Sequence, residues 1–128
     1  MTLLLDTHIL LWALDAPDKL PADAQAMLTD RNQDVYFSAA SIWEIAVKSS
    51  LKKADFPYSP NEIAEAARQT GFIELPVTAA QAARVAVLPP HHKDPFDRLL
   101  VAQALSLPAC LMTADSLLKP YSDLVYLV

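Results

Sequence analysis

Residues 3–14 read LLLDTHILLWAL. Leu3 to Leu5 is a short apolar run without alternation, as expected of a strand buried on both faces, and ILLWAL has the length and composition of a helix. Asp6, Thr7 and His8 form the polar turn between them. A buried strand that passes through a polar turn straight into a helix is the first unit of a parallel α/β fold. The same stretch poses a problem: a charged side chain directly after a buried strand is costly unless it has a partner or faces a cleft. Asp6 is therefore the first candidate functional residue.

The rest of the chain repeats the pattern. Pro17 and Pro21 punctuate it before a helical stretch from Ala22 to Thr29, and the polar turn DRNQD leads into VYFS, whose β-branched and aromatic content suits a strand. Ser38 or Ser41 then caps a helix. Ser41-Ile42-Trp43-Glu44 matches the spacing of a capping box, and the helix is predicted to run to Lys52 or Lys53. DFPYSPN reads as a loop from which Ser59-Pro60 opens a helix toward Gln69, closed by Gly71. FIEL is a strand candidate, Thr78 to Val87 an alanine-rich helix ended by LPPHHKDP, and Phe96 to Leu105 a further helix. ACLMT reads as a strand, ADSLL as a turn of helix and DLVYLV as a last strand. Short apolar strands alternating with helices predict a mainly parallel central sheet covered on both faces.

With 128 residues and no internal repeat, low-complexity tract or linker, residues 1–128 are expected to form a single domain. A content of 53% hydrophobic and 20% charged residues excludes a disordered chain and favours a compact, helix-rich one. Cys110, in the apolar run PACLM, is the one cysteine, so neither a disulfide nor a thiolate zinc site can be built, and it reads as a buried thiol in a reducing compartment. The start, MTLLLDTH, has no basic segment and its apolar run is cut by Asp6, which predicts neither a secretory signal nor a membrane span and makes the cytoplasm the expected location. The net charge of −5 argues against passive electrostatic binding of nucleic acid, but not against a nuclease whose carboxylates gather cations.

In open parallel sheets, ligands sit beyond the carboxyl ends of the strands. Asp6 follows the first strand, and Asp115 follows ACLMT at the spacing Thr113-Ala114-Asp115. Glu44 lies in the first turns of the helix after VYFS, and Asp97 in the first turn of the helix that precedes ACLMT. Four acids from four elements are thus expected at one rim. Each also has a purely structural explanation. Asp94 and Asp97, flanking Pro95 at the favoured first helical position, suit a helix start and its dipole; Glu44 suits a capping box, and Asp115 a cap for Ser116 to Leu118. A cluster of such acids fits hard-cation binding, because Mg²⁺ and Mn²⁺ prefer oxygen ligands whereas zinc favours His or Cys. A pair of such ions can drive phosphodiester hydrolysis. His91 and His92, being adjacent, do not easily converge on one ion and read as rim or solvated residues; His8 is a candidate substrate contact. Lys48 shares a helix face with Glu44, as an ion-pair partner or a phosphate contact. Lys52, Lys53, Lys93 and Arg98 are weaker candidates of the same kind, and Trp12 and Trp43 read as core or interface.

Four ordered segments, LLLDTHILLWAL, SAASIWEIAVKSSLKK, LPPHHKDPFDRLLVAQAL and LMTADSLLKPY, span nearly the whole chain and together resemble the PIN domain family, in particular the VapC-type toxins of bacterial toxin–antitoxin pairs. The resemblance implies a three-layer α/β/α fold, a Mg²⁺- or Mn²⁺-dependent ribonuclease, a homodimer, and inhibition by a small VapB-type antitoxin encoded alongside. Asp6, Glu44, Asp97 and Asp115 fall on the family's metal-binding acids. Asp115 matches the acid whose placement varies most, and Asp94 falls beside the motif. Thr7, His8, Thr113, Lys48 and Arg98 form a second rank around these positions. A housekeeping role for the same nuclease fits the residues too. Two other classes also fit: a phosphoaspartate phosphatase or receiver, which places an Asp after a buried strand, and a catalytically silent interaction module. The phosphatase pattern expects an acid two residues after its nucleophile, where this chain has His8.

Overall fold

The computed structural model describes residues 2–51 and 57–128. Five strands, β1 (Thr2–Leu5), β2 (Asp34–Ser38), β3 (Ile73–Leu75), β4 (Cys110–Thr113) and β5 (Val125–Leu127), form one sheet in the order β3-β2-β1-β4-β5. Every neighbouring pair is parallel, so the expected mainly parallel sheet is wholly parallel. The helices are α1 (Thr7–Asp15), α2 (Ala22–Thr29), α3 (Ala39–Ser50), α4 (Pro60–Thr70), α5 (Ala79–Arg84) and α6 (Pro95–Ser106).

Strand side chains alternate between faces, and β1 supplies both cores. Leu3 and Leu5 join Val35, Phe37 and Met112 against Ile9 and Leu10 of α1, Ala24 of α2, Ile45 of α3 and Ile63 of α4. Leu4 points the other way, into Leu111, Val125 and the Leu100, Val101 and Ala104 face of α6. The result is the three-layer α/β/α architecture, and it explains why Leu3 to Leu5 carries no polar residue. Among the described residues, no helix is long and apolar enough to cross a membrane.

Several local expectations are refined. Ser38, not Ser41, caps α3, accepting from the Ala40 amide; Ser41 is buried within the helix, so Ser41 and Glu44 form no capping box. The predicted extension of α3 to Lys52 or Lys53, and Asp55 and Phe56 of the loop, lie outside the described residues. α4 opens on Ser59 and Pro60 and ends at Gly71, whose φ of 99° is a left-handed conformation that only glycine adopts without strain. The alanine-rich helix is α5 followed by a 3-10 turn, Val85–Val87, and the turn after β4 is a longer 3-10 segment, Ser116–Tyr121.

Register prepares the site. Leu5 pairs with Phe37 on one side and Met112 on the other. The next residue of each strand, Asp6, Ser38 and Thr113, therefore lies in one row at the carboxyl edge. Strand order reverses between β1 and β4, which is where an open parallel sheet leaves a crevice.

Candidate active site

Asp6 stands at that crevice, and its burial demands partners: only 5% of its surface is exposed. Its backbone amide donates to the Met112 carbonyl across the sheet at 3.0 Å. One carboxylate oxygen accepts from the Ile9 amide at 2.8 Å, which makes Asp6 the N-cap of α1 as well, a role its position after the strand did not reveal. The other accepts from the buried Thr113 hydroxyl. Burial raises the Asp6 pKa from the ordinary carboxylate value, against the lowering effect of these hydrogen bonds, and Glu44 raises it further.

Glu44 is equally buried, at 5% exposure, on the inward face of α3. Thr7 Oγ1 donates to its Oε1 at 2.7 Å, and Lys48 Nζ meets Oε2 at 2.6 Å, one helical turn away. Thr7 also lies 2.9 Å from the Ser41 hydroxyl. Lys48 is thus the ion-pair partner of Glu44 and lines the cleft with it.

Asp97 and Asp94 divide the helix start. Asp94 is the N-cap of α6, accepting from the Phe96 amide at 2.8 Å and the Asp97 amide at 3.5 Å. The Asp97 carboxylate turns instead into the cleft, where desolvation and then the charges of Asp94, Asp6 and Glu44 push its pKa up to about 7 against the opposing pull of His92. The raised Asp97 carboxyl thus answers to burial, to its neighbour Asp94 and to acids from two other segments, while the capping hydrogen bonds of α6 are made by Asp94. Asp115 differs. Desolvation raises its pKa, but the Leu117 amide and His92 outweigh this and hold it below the ordinary value. Its Oδ1 accepts from Leu117 at 3.0 Å, capping the 3-10 turn, and its backbone amide donates to Thr113 Oγ1 at 3.0 Å.

Asp6, Thr7, His8, Glu44, Lys48, His92, Asp94, Asp97 and Asp115 line a single cleft. The four acids anticipated at one rim are therefore neighbours, as are Thr7, Thr113, His8 and Asp94. Two sequence-based expectations fail. His92, expected at the rim or in solvent, reaches into the acids: its Nε2 lies 2.7 Å from Asp115 Oδ2 and 3.4 Å from Asp97 Oδ2. Suitable ligand atoms of His92, Asp97 and Asp115 all lie within 4.8 Å of one another. Arg98, expected near phosphate, turns away from the cleft. Its guanidinium donates to the carbonyls of Val85 at 3.0 Å and Pro89 at 3.1 Å, and so fastens the loop before α6. His8 is exposed at the mouth with its ring edge toward Trp12, while Trp43, 60% exposed, packs edge-on against Phe96.

Four carboxylates face one cleft, and burial followed by neighbouring like charge raises the pKa of Asp97 and of Asp6, an environment that a hard divalent cation would relieve. The family model described as PIN domain matches residues 3–123. No curated protein matched the sequence. Among solved structures, the chain is similar to one in the crystal structure of VapBC2 from Rickettsia felis bound to a DNA fragment from their promoter. There the TM-score is 0.70 at 16% identity, covering 100% of this chain and 98% of that one. It is also similar to a chain of FitAcB from Neisseria gonorrhoeae, with a TM-score of 0.50 at 21% identity, covering 89% and 88%.

Proposed function

This chain belongs to the PIN domain family, and on that premise we propose that it is a Mg²⁺- or Mn²⁺-dependent endoribonuclease, one nuclease domain over residues 1–128, acting in the cytoplasm as the toxin of a toxin–antitoxin pair. The observation that carries the reading is the convergence of Asp6, Glu44, Asp97 and Asp115 on one cleft, where burial and then Asp94, Asp6 and Glu44 push the Asp97 carboxyl up to about 7. Four acids from four elements meet at the switch point of the sheet, and capping accounts for Asp6 and Asp115 but not for the inward-facing Glu44 and Asp97.

Asp6 and Asp97 are the central ligands in this reading, with Glu44 and Asp115 completing the set. A divalent cation held there supplies Lewis-acid stabilisation of the phosphodiester and an activated water. The protein's part is orientation. Thr113 and the Ile9 amide fix both oxygens of Asp6, and Thr7 and Lys48 fix both oxygens of Glu44. Carboxylates locked in this way lose little freedom when they gather an ion. Lys48 lies beside the cleft where a substrate phosphate would approach. A phosphoaspartate reaction at Asp6 fits less well, since His8 occupies the position two residues on where the phosphatase pattern expects an acid.

The toxin assignment rests on the resemblance of the four sequence segments and on the fold shared with a chain of VapBC2. It brings with it a homodimer and a VapB-type antitoxin whose basic side chain neutralises the acids in place of metal. The test is cleavage of labelled single-stranded RNA with Mg²⁺ or Mn²⁺ by the purified protein and by Asp6→Asn. The substitution should reduce the rate by orders of magnitude while leaving the far-ultraviolet circular dichroism unchanged. Equal cleavage by the two proteins would overturn the reading.

A further inference from the structure

We infer that His92 is a positioning residue for Asp115, a hydrogen-bond donor fixed in one tautomer, and not a ligand of the metal. The inference rests on the nuclease reading for its functional consequence and on hydrogen-bond geometry for the assignment itself.

By distance alone His92, Asp97 and Asp115 would pass as a three-residue metal set. The opposite edge of the imidazole decides otherwise. His92 Nδ1 accepts the backbone N–H of Asp94 at 2.9 Å. A ring nitrogen that accepts carries no proton, so the one proton of a neutral imidazole is on Nε2. A doubly protonated ring would set N–H against N–H at Asp94. Protonated Nε2 has no lone pair to offer a cation, but it donates well to a carboxylate, and Asp115 Oδ2 lies 2.7 Å away.

The ring is held for this task from its backbone too. The His92 amide donates to the Tyr121 hydroxyl at 2.9 Å, and Arg98 Nη1 donates to the same hydroxyl at 3.3 Å and to the His92 carbonyl at 3.4 Å. The His91 ring packs edge-on against Tyr121 at 4.9 Å. Asp115 needs such a brace. Its side chain is 37% exposed, against 12% for His92, and its Oδ1 is tied only to the neighbouring Leu117 amide. His92 takes the second oxygen and so sets the direction in which Asp115 faces Asp97. Arg98, whose guanidinium donates to loop carbonyls and to Tyr121, enters the same account as the residue that fastens the His92 loop.

Two measurements test this. In the metal-free, ¹⁵N-labelled protein, long-range proton–nitrogen spectra of the imidazoles should show His92 protonated at Nε2 alone, and saturating Mg²⁺ should leave that proton in place. A proton on Nδ1, or loss of the Nε2 proton when Mg²⁺ is added, would overturn the assignment. Calorimetric titration with Mn²⁺ should show His92→Ala binding roughly 10–100-fold more weakly, as for loss of a group that orients a ligand. His92→Gln, which keeps an N–H donor, should recover part of the loss. Equal affinity in the parent and His92→Ala would reject the positioning role, and the spectra decide the tautomer even if His92→Ala fails to fold. If the parent binds neither ion, the nuclease reading fails while the metal-free spectrum still judges the tautomer.

Discussion

The Asp97 carboxyl, buried beside Asp94, Asp6 and Glu44, makes the stability of the metal-free protein depend on pH with a definite sign. Its folded value is about 7, whereas an unfolded aspartate titrates near ~3.9. Between those values the folded protein holds a proton that the unfolded chain has released. The contribution of Asp97 is fully present below the unfolded value and is lost as pH rises through the folded one. In EDTA, stability should therefore fall across that window with a slope approaching about 1.4 kcal/mol per pH unit from this residue. Asp97→Asn should flatten the slope. Urea denaturation at a series of pH values checks this, and equal slopes for the two proteins would show that Asp97 is not the group responsible.

At the scale of elements, the start of α6 separates structure from chemistry within four residues. Asp94 caps the helix and Asp97 faces the cleft. Asp94→Ala should cost about 0.5–2 kcal/mol, and Asp94→Ser, which retains a capping oxygen, should recover most of it; thermal melting of the three proteins measures both. Much of this level was legible in the sequence. Apolar runs such as Leu3 to Leu5 declare strands buried on both faces, and the Ser59-Pro60 start and Gly71 stop of α4 are local signals. Asp6, Glu44, Asp97 and Asp115, placed after strands or in early helical turns, reach the same rim, whereas Asp23 and Glu62, also in first helical turns, do not line the cleft. What was not legible depends on tertiary contacts. The cap of α3 falls on Ser38 rather than Ser41 because Ser38 is also held by Gln103, to which it donates at 2.5 Å. His92 turns inward because Tyr121, far along the chain, and Arg98 anchor its loop. Nothing in the pair His91-His92 tells which ring will do so.

For the whole molecule, a net charge of −5 with five of its 15 acidic residues lining one cleft suits the binding of something cationic there. Under the proposed function that is a divalent metal or the basic side chain of an antitoxin. The purified chain should be a dimer by light scattering, and its expression should arrest growth unless the adjacent small gene is expressed with it. A harmless, monomeric chain would turn the assignment from toxin toward housekeeping nuclease. The central claim, that these acids form a cation site in addition to the caps that Asp6 and Asp115 supply, is tested most directly by melting the parent and Asp97→Asn proteins in EDTA and in millimolar Mg²⁺ or Mn²⁺. Neutralising one of several crowded carboxylates relieves repulsion, so without metal the mutant should melt higher than the parent. With metal the order should reverse, because an ion that binds only the folded state stabilises the protein that binds it better. A mutant that melts lower than the parent by the same amount in both conditions would contradict the account and return Asp97 to the helix start.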